Sequence, residues 1–229
     1  MGTKHLKRLA APKTWDIKRK GIKFVTKLMP GPHSLGTGMP FGVLLRDILK
    51  YANTLREIKK ILNTNEIKID GRTRNDVRYP IGLFDSIEFK SINECFRVIL
   101  SRKGKIELIK IKKEEASLKP CKITGKTIVS GKLQLNLYDG KNILVDNGAY
   151  KVCDTLLLEL PGQKVNKHIK LDKKSAIFLI GGKHMGEIGN VEDIIENKII
   201  YKDREGNLIE TSKKYAFVVG DIKPLITLE

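Results

Sequence analysis

The sequence predicts an α+β fold that is mostly β-structure and is preceded by a basic N-terminal extension. Three observations lead to this fold class. Two short stretches after residue 40 place apolar residues at the spacing of a helix face. From residue 66 onward, apolar and polar residues alternate in short runs divided by glycine turns, which is typical of antiparallel strands. The first thirty residues carry nine Lys or Arg against one acid and show no apolar period.

The N-terminal arm, residues 1–30, has a net charge of +8. A segment with this much like charge and no apolar pattern is not expected to fold alone, and its natural partner is a polyanion. The whole 229-residue chain agrees, because its 44 Lys and Arg outnumber its 26 Asp and Glu by 18. Nucleic acid is therefore the first hypothesis. The basic arm residues predicted to contact RNA are Lys4, Lys7, Arg8, Lys13, Lys18, Arg19 and Lys20.

Trp15, the only tryptophan, lies inside this basic arm. A tryptophan ring in this position has two interpretations of equal weight. It can anchor the arm by packing on a folded domain, or it can stack on a base of the nucleic acid. We include Trp15 among the candidate RNA-binding residues, and the sequence leaves both roles open.

Two short helices are predicted after a linker rich in proline and glycine at residues 30–40. The first extends from Phe41 to Ala52, with apolar residues at intervals of three and four. The second begins at Thr54, whose side chain can cap the amide of Glu57 while the glutamate reaches back. The residues predicted to line the inner side of the second helix are Leu55, Ile58 and Leu62.

Strands follow the helices. Ile67 and Ile69 alternate with polar neighbours, and residues 133–137 repeat the pattern with three leucines. Asp139 and Gly140 then give a strong hairpin signal before the next apolar alternation. Strands at such short intervals predict small barrels or sandwiches rather than a parallel sheet with crossover helices.

A second basic cluster surrounds the predicted turn after Ile69. Arg72, Arg74 and Arg78 fall within seven residues, where guanidinium groups can clamp phosphates with two hydrogen bonds each. Arg46 and Lys50 add positive charge on the first helix. Exposed basic residues on helices often do nothing but solvate a surface, so the closely spaced arginines are the stronger RNA-binding candidates.

A glycine-rich loop follows the apolar run at residues 176–180. It lacks the P-loop pattern and the dinucleotide fingerprint, because each of those must open a helix. Its glycines at 182, 186 and 189 are better explained by positive φ or by close backbone approach in a small barrel. Lys183 and His184 are then expected at an exposed tip, which either contacts RNA or has no binding partner.

The sequence gives little support for catalysis. The four histidines stand far apart, and none has the spacing of a metal-ligand motif. No nucleophile elbow is present, and paired carboxylates lie in polar runs. The prediction is no catalytic residue, metal, cofactor, small-molecule substrate or membrane segment. Cys95, Cys121 and Cys153 are isolated and are expected to be reduced and buried.

Taken together, these stretches resemble the small-subunit ribosomal protein family S-four-e of archaea and eukaryotes, in its more archaeal form. The resemblance covers nearly the whole chain, and the glycine loop is similar to that family's KOW motif. The stretches that carry it are residues 4–15 (KHLKRLAAPKTW), 31–33 (GPH), 45–52 (LRDILKYA), 69–74 (IDGRTR), 79–82 (YPIG), 85–87 (DSI) and 181–191.

The resemblance implies a structural ribosomal component that binds small-subunit ribosomal RNA, contacts neighbouring ribosomal proteins and works in the cytoplasm. Carried over to this chain, its RNA-facing candidates are Arg46, Lys50, Arg72, Arg74, Lys183 and His184. The implied domains are a basic extension and linker (1–40), an S-four-like RNA-binding domain of two helices and a small sheet (41–105), a central β domain (106–172) and an SH3-like KOW barrel with a tail (173–229).

Two other functions remain as alternatives. S-four domains also deliver RNA to catalytic domains in RNA-modifying enzymes, so such an enzyme is the first alternative. A transcription elongation factor would explain the KOW-like loop but not the S-four-like unit or the basic arm. It therefore ranks last.

Overall fold

The computed structural model describes residues 5–146 and 148–228 of the chain. This part contains nineteen strands and only short helices, so the predicted mostly β architecture is confirmed. It forms two compact units. Unit 1 consists of the described residues up to 100 together with residues 104–117, and unit 2 consists of residues 101–103 with the described residues from 118 onward.

Unit 1 is an α+β unit. Its elements are β1 (Leu6–Lys7), β2 (Phe24–Val25), β3 (Gly38–Pro40), α1 (Phe41–Val43), α2 (Leu55–Thr64), β4 (Ile67–Ile69), β5 (Arg72–Thr73), β6 (Pro80–Gly82), β7 (Ser86–Phe89), β8 (Glu94–Leu100), β9 (Ile106–Ile111) and α3 (Lys113–Ala116). Five of the strands form an antiparallel sheet in the order β5-β4-β7-β8-β9, while β1 pairs with β2 and β3 pairs with β6.

The first predicted helix is shorter than its apolar pattern indicated. After α1 a π-helical segment, Leu44–Ile48, continues the helix and then ends. The chain turns at Lys50, whose φ is 56°, and the Tyr51 amide donates to the Leu45 carbonyl at 3.0 Å. Ala52 is therefore buried by the turn that follows the helix rather than by a helical face.

The second helix begins as predicted. The Glu57 amide donates to the Thr54 hydroxyl, and the Glu57 carboxylate accepts the Thr54 amide, which completes a capping box. Ile58 and Leu62 are buried, but Leu55 is 39% exposed, so its predicted place on the inner side is wrong. It is the first residue of the helix, one turn before the stretch that packs on the core.

The described part of the N-terminal arm packs into the core of unit 1. Its charge had led us to expect a separate extension. Leu6, Ala11, Trp15, Ile17 and Val25 belong to one buried cluster with the helices and the sheet. The apolar period was missing because most of this segment has no regular secondary structure, so buried side chains occur at uneven intervals. The described residues before 41 thus share a core with residues 41–105.

Unit 2 is built from antiparallel strands. They are β10 (Leu118–Val129), β11 (Lys132–Leu137), β12 (Asn142–Val145), β13 (Thr155–Glu159), β14 (Lys164–Ile169), β15 (Ala176–Leu179), β16 (Ile188–Ile195), β17 (Lys198–Asp203), β18 (Leu208–Ser212) and β19 (Ala216–Gly220). Two five-stranded sheets result, in the orders β12-β11-β10-β13-β14 and β18-β17-β16-β15-β19. Each has its own apolar cluster.

The predicted hairpin after β11 is confirmed. Gly140 has a φ of 74°, and β11 pairs with β12 so that Leu135 faces Ile143. Asp139 is buried in this turn, with its carboxylate 3.3 Å from the Lys119 ammonium and 2.9 Å from that of Lys141. Burial alone would raise the pKa of Asp139, but the two ammonium groups outweigh it and lower the pKa.

A buried lysine joins the two sheets of unit 2. Lys122 on β10 donates from Nζ to the Lys214 carbonyl at 2.9 Å and to the Ala216 carbonyl at 2.6 Å. Burial lowers the pKa of Lys122. Backbone carbonyls that precede and begin β19 therefore receive a donor from the first sheet, which fixes the start of that strand.

Two further expectations concern the burial of the cysteines and the character of the helices. Cys95 and Cys121 are buried as predicted, whereas Cys153 is only partly buried because it lies in a turn, where its φ is 78°. Among residues 5–146 and 148–228, none of the helices has the length and apolar character of a membrane span.

Candidate nucleic-acid interface

Trp15 anchors the arm rather than presenting a stacking surface. Its side chain is 1% exposed, and its indole Nε1 donates to the Gly38 carbonyl at 2.8 Å. A ring with almost no solvent-facing area offers no face to a base in this structure, which favours the anchoring interpretation over stacking. A buried indole with a satisfied N–H is the anchoring arrangement.

The two arginines of the arm also point inward. Arg8 is 7% exposed and donates from Nη1 to the Lys18 carbonyl at 2.8 Å. Arg19 donates to the Ala11 carbonyl at 2.6 Å and to the Pro12 carbonyl at 2.7 Å. A guanidinium fork can bind several backbone carbonyls at once, which suits it to hold an irregular segment together. Arg8 is therefore buried, and Arg19 is partly buried with both of its terminal nitrogens engaged by backbone carbonyls.

The lysines of the arm differ from its arginines. Five of them have exposed side chains and make no ion pair within the described ranges: Lys7, Lys13, Lys18, Lys20 and Lys23. Lys27 is only partly exposed. Lys4 lies outside the described residues. The arm's one acid, Asp16, is bound by the Lys105 ammonium at 2.5 Å. The outward surface of the arm is therefore positive, with its single carboxylate already engaged.

Arg46 and Lys50, the RNA-binding candidates predicted on the first helix, lie in different environments. The Arg46 guanidinium is partly buried and binds the Asp47 carboxylate at 2.7 Å. Lys50 is exposed, at the turn that ends the helix. The charge of Arg46 is thus partly neutralised by its neighbour, whereas Lys50 makes no ion pair within the described ranges.

The three arginines of the second basic cluster also differ. Arg72 is exposed on β5. The guanidinium carbon of Arg74 lies 4.8 Å from the centroid of the Tyr79 ring, where it forms a cation–π contact. Arg78 is exposed, and its guanidinium lies 3.4 Å from the Asp76 carboxylate. They therefore present separate groups with different partners rather than a single clamp.

The glycine loop has the backbone that its sequence predicted. Gly182 and Gly186 have φ values of 87° and 82°. Gly189 has no positive φ, but a Cβ there would lie 2.6 Å from the Lys202 carbonyl oxygen and would meet the Tyr201 ring. Positive φ and close approach, the two reasons expected for glycine here, thus apply at different positions of the loop.

At the tip of this loop Lys183 is exposed, but His184 is not fully so. The His184 Nδ1 lies 3.1 Å from both carboxylate oxygens of Glu187. The Tyr201 hydroxyl donates to the same carboxylate at 3.1 Å. Burial and the nearby carboxylate raise the pKa of Tyr201. His184 thus helps to hold the loop, and Lys183 is the cation that extends from the tip.

Several stretches that carried the family resemblance meet in a buried polar cluster. The His33 Nε2 lies 3.0 Å from an Asp85 carboxylate oxygen, and that oxygen also accepts the Gly82 amide at 2.9 Å. A Cβ at Gly82 would overlap the His33 ring. The motifs at 31–33, 79–82 and 85–87 therefore serve the fold. Sequence spacing could not show this, because 52 positions separate the histidine from the aspartate.

Sequence reasoning missed one exposed aromatic residue. Phe24 on β2 is 47% exposed and lies beside His5 and Lys23. Its signal was the short apolar and basic alternation at residues 22–25, which the high charge of the arm concealed. Within the described ranges, no group of three or more His, Cys, Asp or Glu is placed to hold a metal ion.

Comparison with known proteins extends over nearly the whole chain. The model of the RS4NT (NUC023) domain matches residues 1–36, and that of Ribosomal family S4e matches residues 92–165. A protein of Methanocella arvoryzae named small ribosomal subunit protein eS4 is 42% identical over 97% of this chain and 96% of its own length. The protein of the same name from Methanocaldococcus jannaschii is 39% identical over 98% and 97%.

A solved structure agrees with these relatives. The crystal structure of the 30S ribosomal protein S4e from Thermoplasma acidophilum matches with a TM-score of 0.70 and 29% identity, over 81% of this chain and 96% of that one. Identity near 40% along almost the full length, together with the shared fold, shows that this chain belongs to the ribosomal protein family S4e.

Proposed function

We propose that this protein is a structural constituent of the small ribosomal subunit, where it binds the ribosomal RNA among neighbouring ribosomal proteins in the cytoplasm. The observation that carries the proposal is membership of a family whose members are named small ribosomal subunit proteins. A net charge of +18 on a chain of 229 residues supports a polyanionic partner.

The lysines of the arm are the groups proposed to contact phosphate. Lys7, Lys13, Lys18 and Lys20 are exposed, make no ion pair with a described residue and lie on a segment whose core contacts fix its path, so their charges are held at a defined surface. Each cation that neutralises a phosphate releases a counterion, which makes affinity salt-dependent. Lys50, Arg72 and Lys183 extend the same proposal beyond the arm. Arg78 is also exposed and is included, although its guanidinium lies 3.4 Å from the Asp76 carboxylate.

We further propose that unit 1 contains an S-four-like RNA-binding domain and that the last sheet of unit 2 is an SH3-like KOW barrel. In unit 1, two short helices followed by a small antiparallel sheet support the first assignment. In unit 2, a glycine loop between β15 and β16 and register shifts in β15 and β16 support the second. The role of the protein is structural rather than catalytic, and no observation favours the RNA-modifying alternative.

The location of the native protein in a cell lysate tests the proposal. On a gradient at low magnesium that separates the ribosomal subunits, we expect stoichiometric comigration with the small subunit that resists a moderate salt wash. Recovery mainly among free proteins would contradict the proposal. An assay for modification of bare RNA transcripts would then test the enzyme alternative.

A charge variant tests the role of the arm. Replacing Lys13, Lys18 and Lys20 by Gln should weaken binding to small-subunit RNA and reduce the slope of log K against log salt by about 0.7–0.9 for each phosphate that is no longer neutralised. The triple change of Lys90, Lys173 and Lys198 to Gln is the matched control, because each of these exposed ammonium groups already binds a carboxylate, at 2.6, 2.9 and 2.6 Å. An equal effect of both variants would contradict a specific role for the arm.

A further inference from the structure

The two-stranded ribbon β1–β2 has one inward and one outward face. Leu6 pairs with Val25, and both are buried in the core of unit 1. Lys7 pairs with Phe24, and both side chains are exposed. Because residues paired across antiparallel strands lie on the same face, the ribbon presents a lysine and a phenylalanine side by side to solvent.

The Phe24 ring stands among basic groups. The centroid of the His5 ring lies 5.5 Å from that of Phe24, at an interplanar angle of 47°. The Lys23 ammonium lies 5.5 Å from the Phe24 centroid. The phenyl ring nevertheless keeps 47% of its area exposed. An exposed aromatic face beside Lys7 and Lys23 has the composition of surfaces that bind unpaired nucleic acid.

An open cleft of about 1170 Å³ adjoins this ribbon. His5 belongs both to the ring pair and to the cleft, and Lys27 and Arg78 add positive charge to its wall. Val25, Leu28 and Met29 supply apolar lining, and no Asp or Glu of the described chain lines it. The volume exceeds the roughly 300–1,000 Å³ of an ordinary small-molecule pocket, so the cleft suits a segment of a chain better than a single small ligand.

We propose that the β1–β2 ribbon and the adjoining cleft bind an unpaired segment of RNA, with one base stacked on Phe24. Lys7 and Lys23, which are both exposed, then neutralise the phosphates on either side of that base. The bases of a duplex have both faces covered by their neighbours, so an exposed phenyl ring selects an unpaired base. An acidic peptide would satisfy the lysines but would leave the aromatic face without a matching partner.

The inference rests on the proposed function and adds which RNA conformation this surface takes. Its test is fluorescence anisotropy of the full chain with a labelled ten-nucleotide oligoadenylate, compared with a ten-base-pair RNA duplex. Phe24→Ala should weaken oligoadenylate binding by about 5- to 150-fold, which corresponds to the stacking of one base. Affinity for the duplex and the salt slope should not change, because no charge is removed.

Four further variants separate stacking from a general effect. Phe24→Leu keeps the apolar bulk but lacks an aromatic face and should weaken binding as much as the alanine variant. Phe24→Trp keeps an aromatic face and should bind oligoadenylate as tightly as the wild-type protein. Ile22→Ala, a change at a residue that is 72% exposed in the same segment, is the matched control and should have no effect. Lys7→Gln should instead reduce the salt slope by about 0.7.

Unchanged oligoadenylate affinity in Phe24→Ala and Phe24→Leu would overturn the inference. An equal loss of affinity for oligoadenylate and duplex would overturn the selection of unpaired RNA. If a polyglutamate peptide loses affinity on Phe24→Ala while oligoadenylate does not, the surface binds acidic protein instead. Each of these results leaves comigration with the small subunit to be decided separately, so failure here is distinguishable from failure of the proposed function.

Discussion

Removing the Trp15 ring should detach the arm from the rest of unit 1. The indole is 1% exposed and packs in the shared core, and truncation of a buried aromatic residue to alanine costs about 3–5 kcal/mol. Trp15→Phe keeps most of the apolar packing but leaves the Gly38 carbonyl without its 2.8 Å donor, which costs about 1–3 kcal/mol. The alanine variant should therefore be the more severe of the two.

Hydrogen exchange by mass spectrometry measures this effect locally, because the two compact units need not unfold together. Peptides from residues 5–40 should exchange faster in both variants, in the order alanine, phenylalanine, wild type. Leu9→Ala is the control in the same segment, since Leu9 is 77% exposed and its truncation should change stability by less than about 0.5 kcal/mol.

The same variants decide between the two roles that the sequence left open for Trp15. An anchoring ring predicts a loss of exchange protection first, with RNA affinity falling because the arm is no longer held. A stacking ring predicts weaker RNA binding with unchanged exchange in the free protein. The second pattern would refute the anchoring role and the packing of the arm with it.

Three substitutions and one pH dependence test the fold. Glu115→Ala removes the carboxylate from the fully buried Arg97 guanidinium and should lower the free energy of unfolding of unit 1 by about 3–5 kcal/mol in urea denaturation; a decrease below about 1 kcal/mol would contradict the buried pair. Thr54→Ala should destabilise α2 by about 1 kcal/mol, measured by exchange of its amides. Hydrogen bonds lower the pKa of the Glu57 side chain, so the cap should stabilise α2 above the usual carboxyl range and be lost as pH falls through that lowered pKa. Protection factors of the α2 amides, corrected for intrinsic exchange, that stay constant in this range would contradict the cap. Gly189→Ala should lower the melting temperature because its Cβ meets the neighbouring strand, whereas Gly125→Ala, with only ordinary contacts near 3.6 Å, should not; equal effects would contradict the close approach.

The predictable parts of this fold are those in which the structural signal is local in sequence. The capping box of α2 spans four residues, and the hairpin turn at Asp139 and Gly140 lies between two alternating strands. The glycines of the loop after β15 follow from backbone geometry alone. In each case neighbouring residues contain the whole interaction, so one sequence is enough to identify it.

Long-range interactions account for what was missed. The Trp15 indole binds a carbonyl 23 positions away, and His33 binds Asp85 across 52 positions. Neither pairing leaves a periodic pattern in the chain. The arm therefore looked like a free polycation, although its uneven apolar residues complete the core of unit 1. High charge indicated the partner but concealed the packing.

The arginines and lysines of the arm have different structural roles, so the type of each charged residue matters as well as their number. Its two arginines donate to backbone carbonyls, so Arg8 is buried and Arg19 is partly buried. Lysines carry compact, strongly hydrated charges, and all described lysines of the arm except Lys27 are exposed to solvent, where phosphates can reach them. A count of Lys and Arg consequently overstates the charge that faces RNA. It follows that Lys-to-Gln changes in the arm should alter binding with little effect on folding, whereas Arg8→Gln or Arg19→Gln should reduce the protection of the arm in the free protein before any RNA is bound.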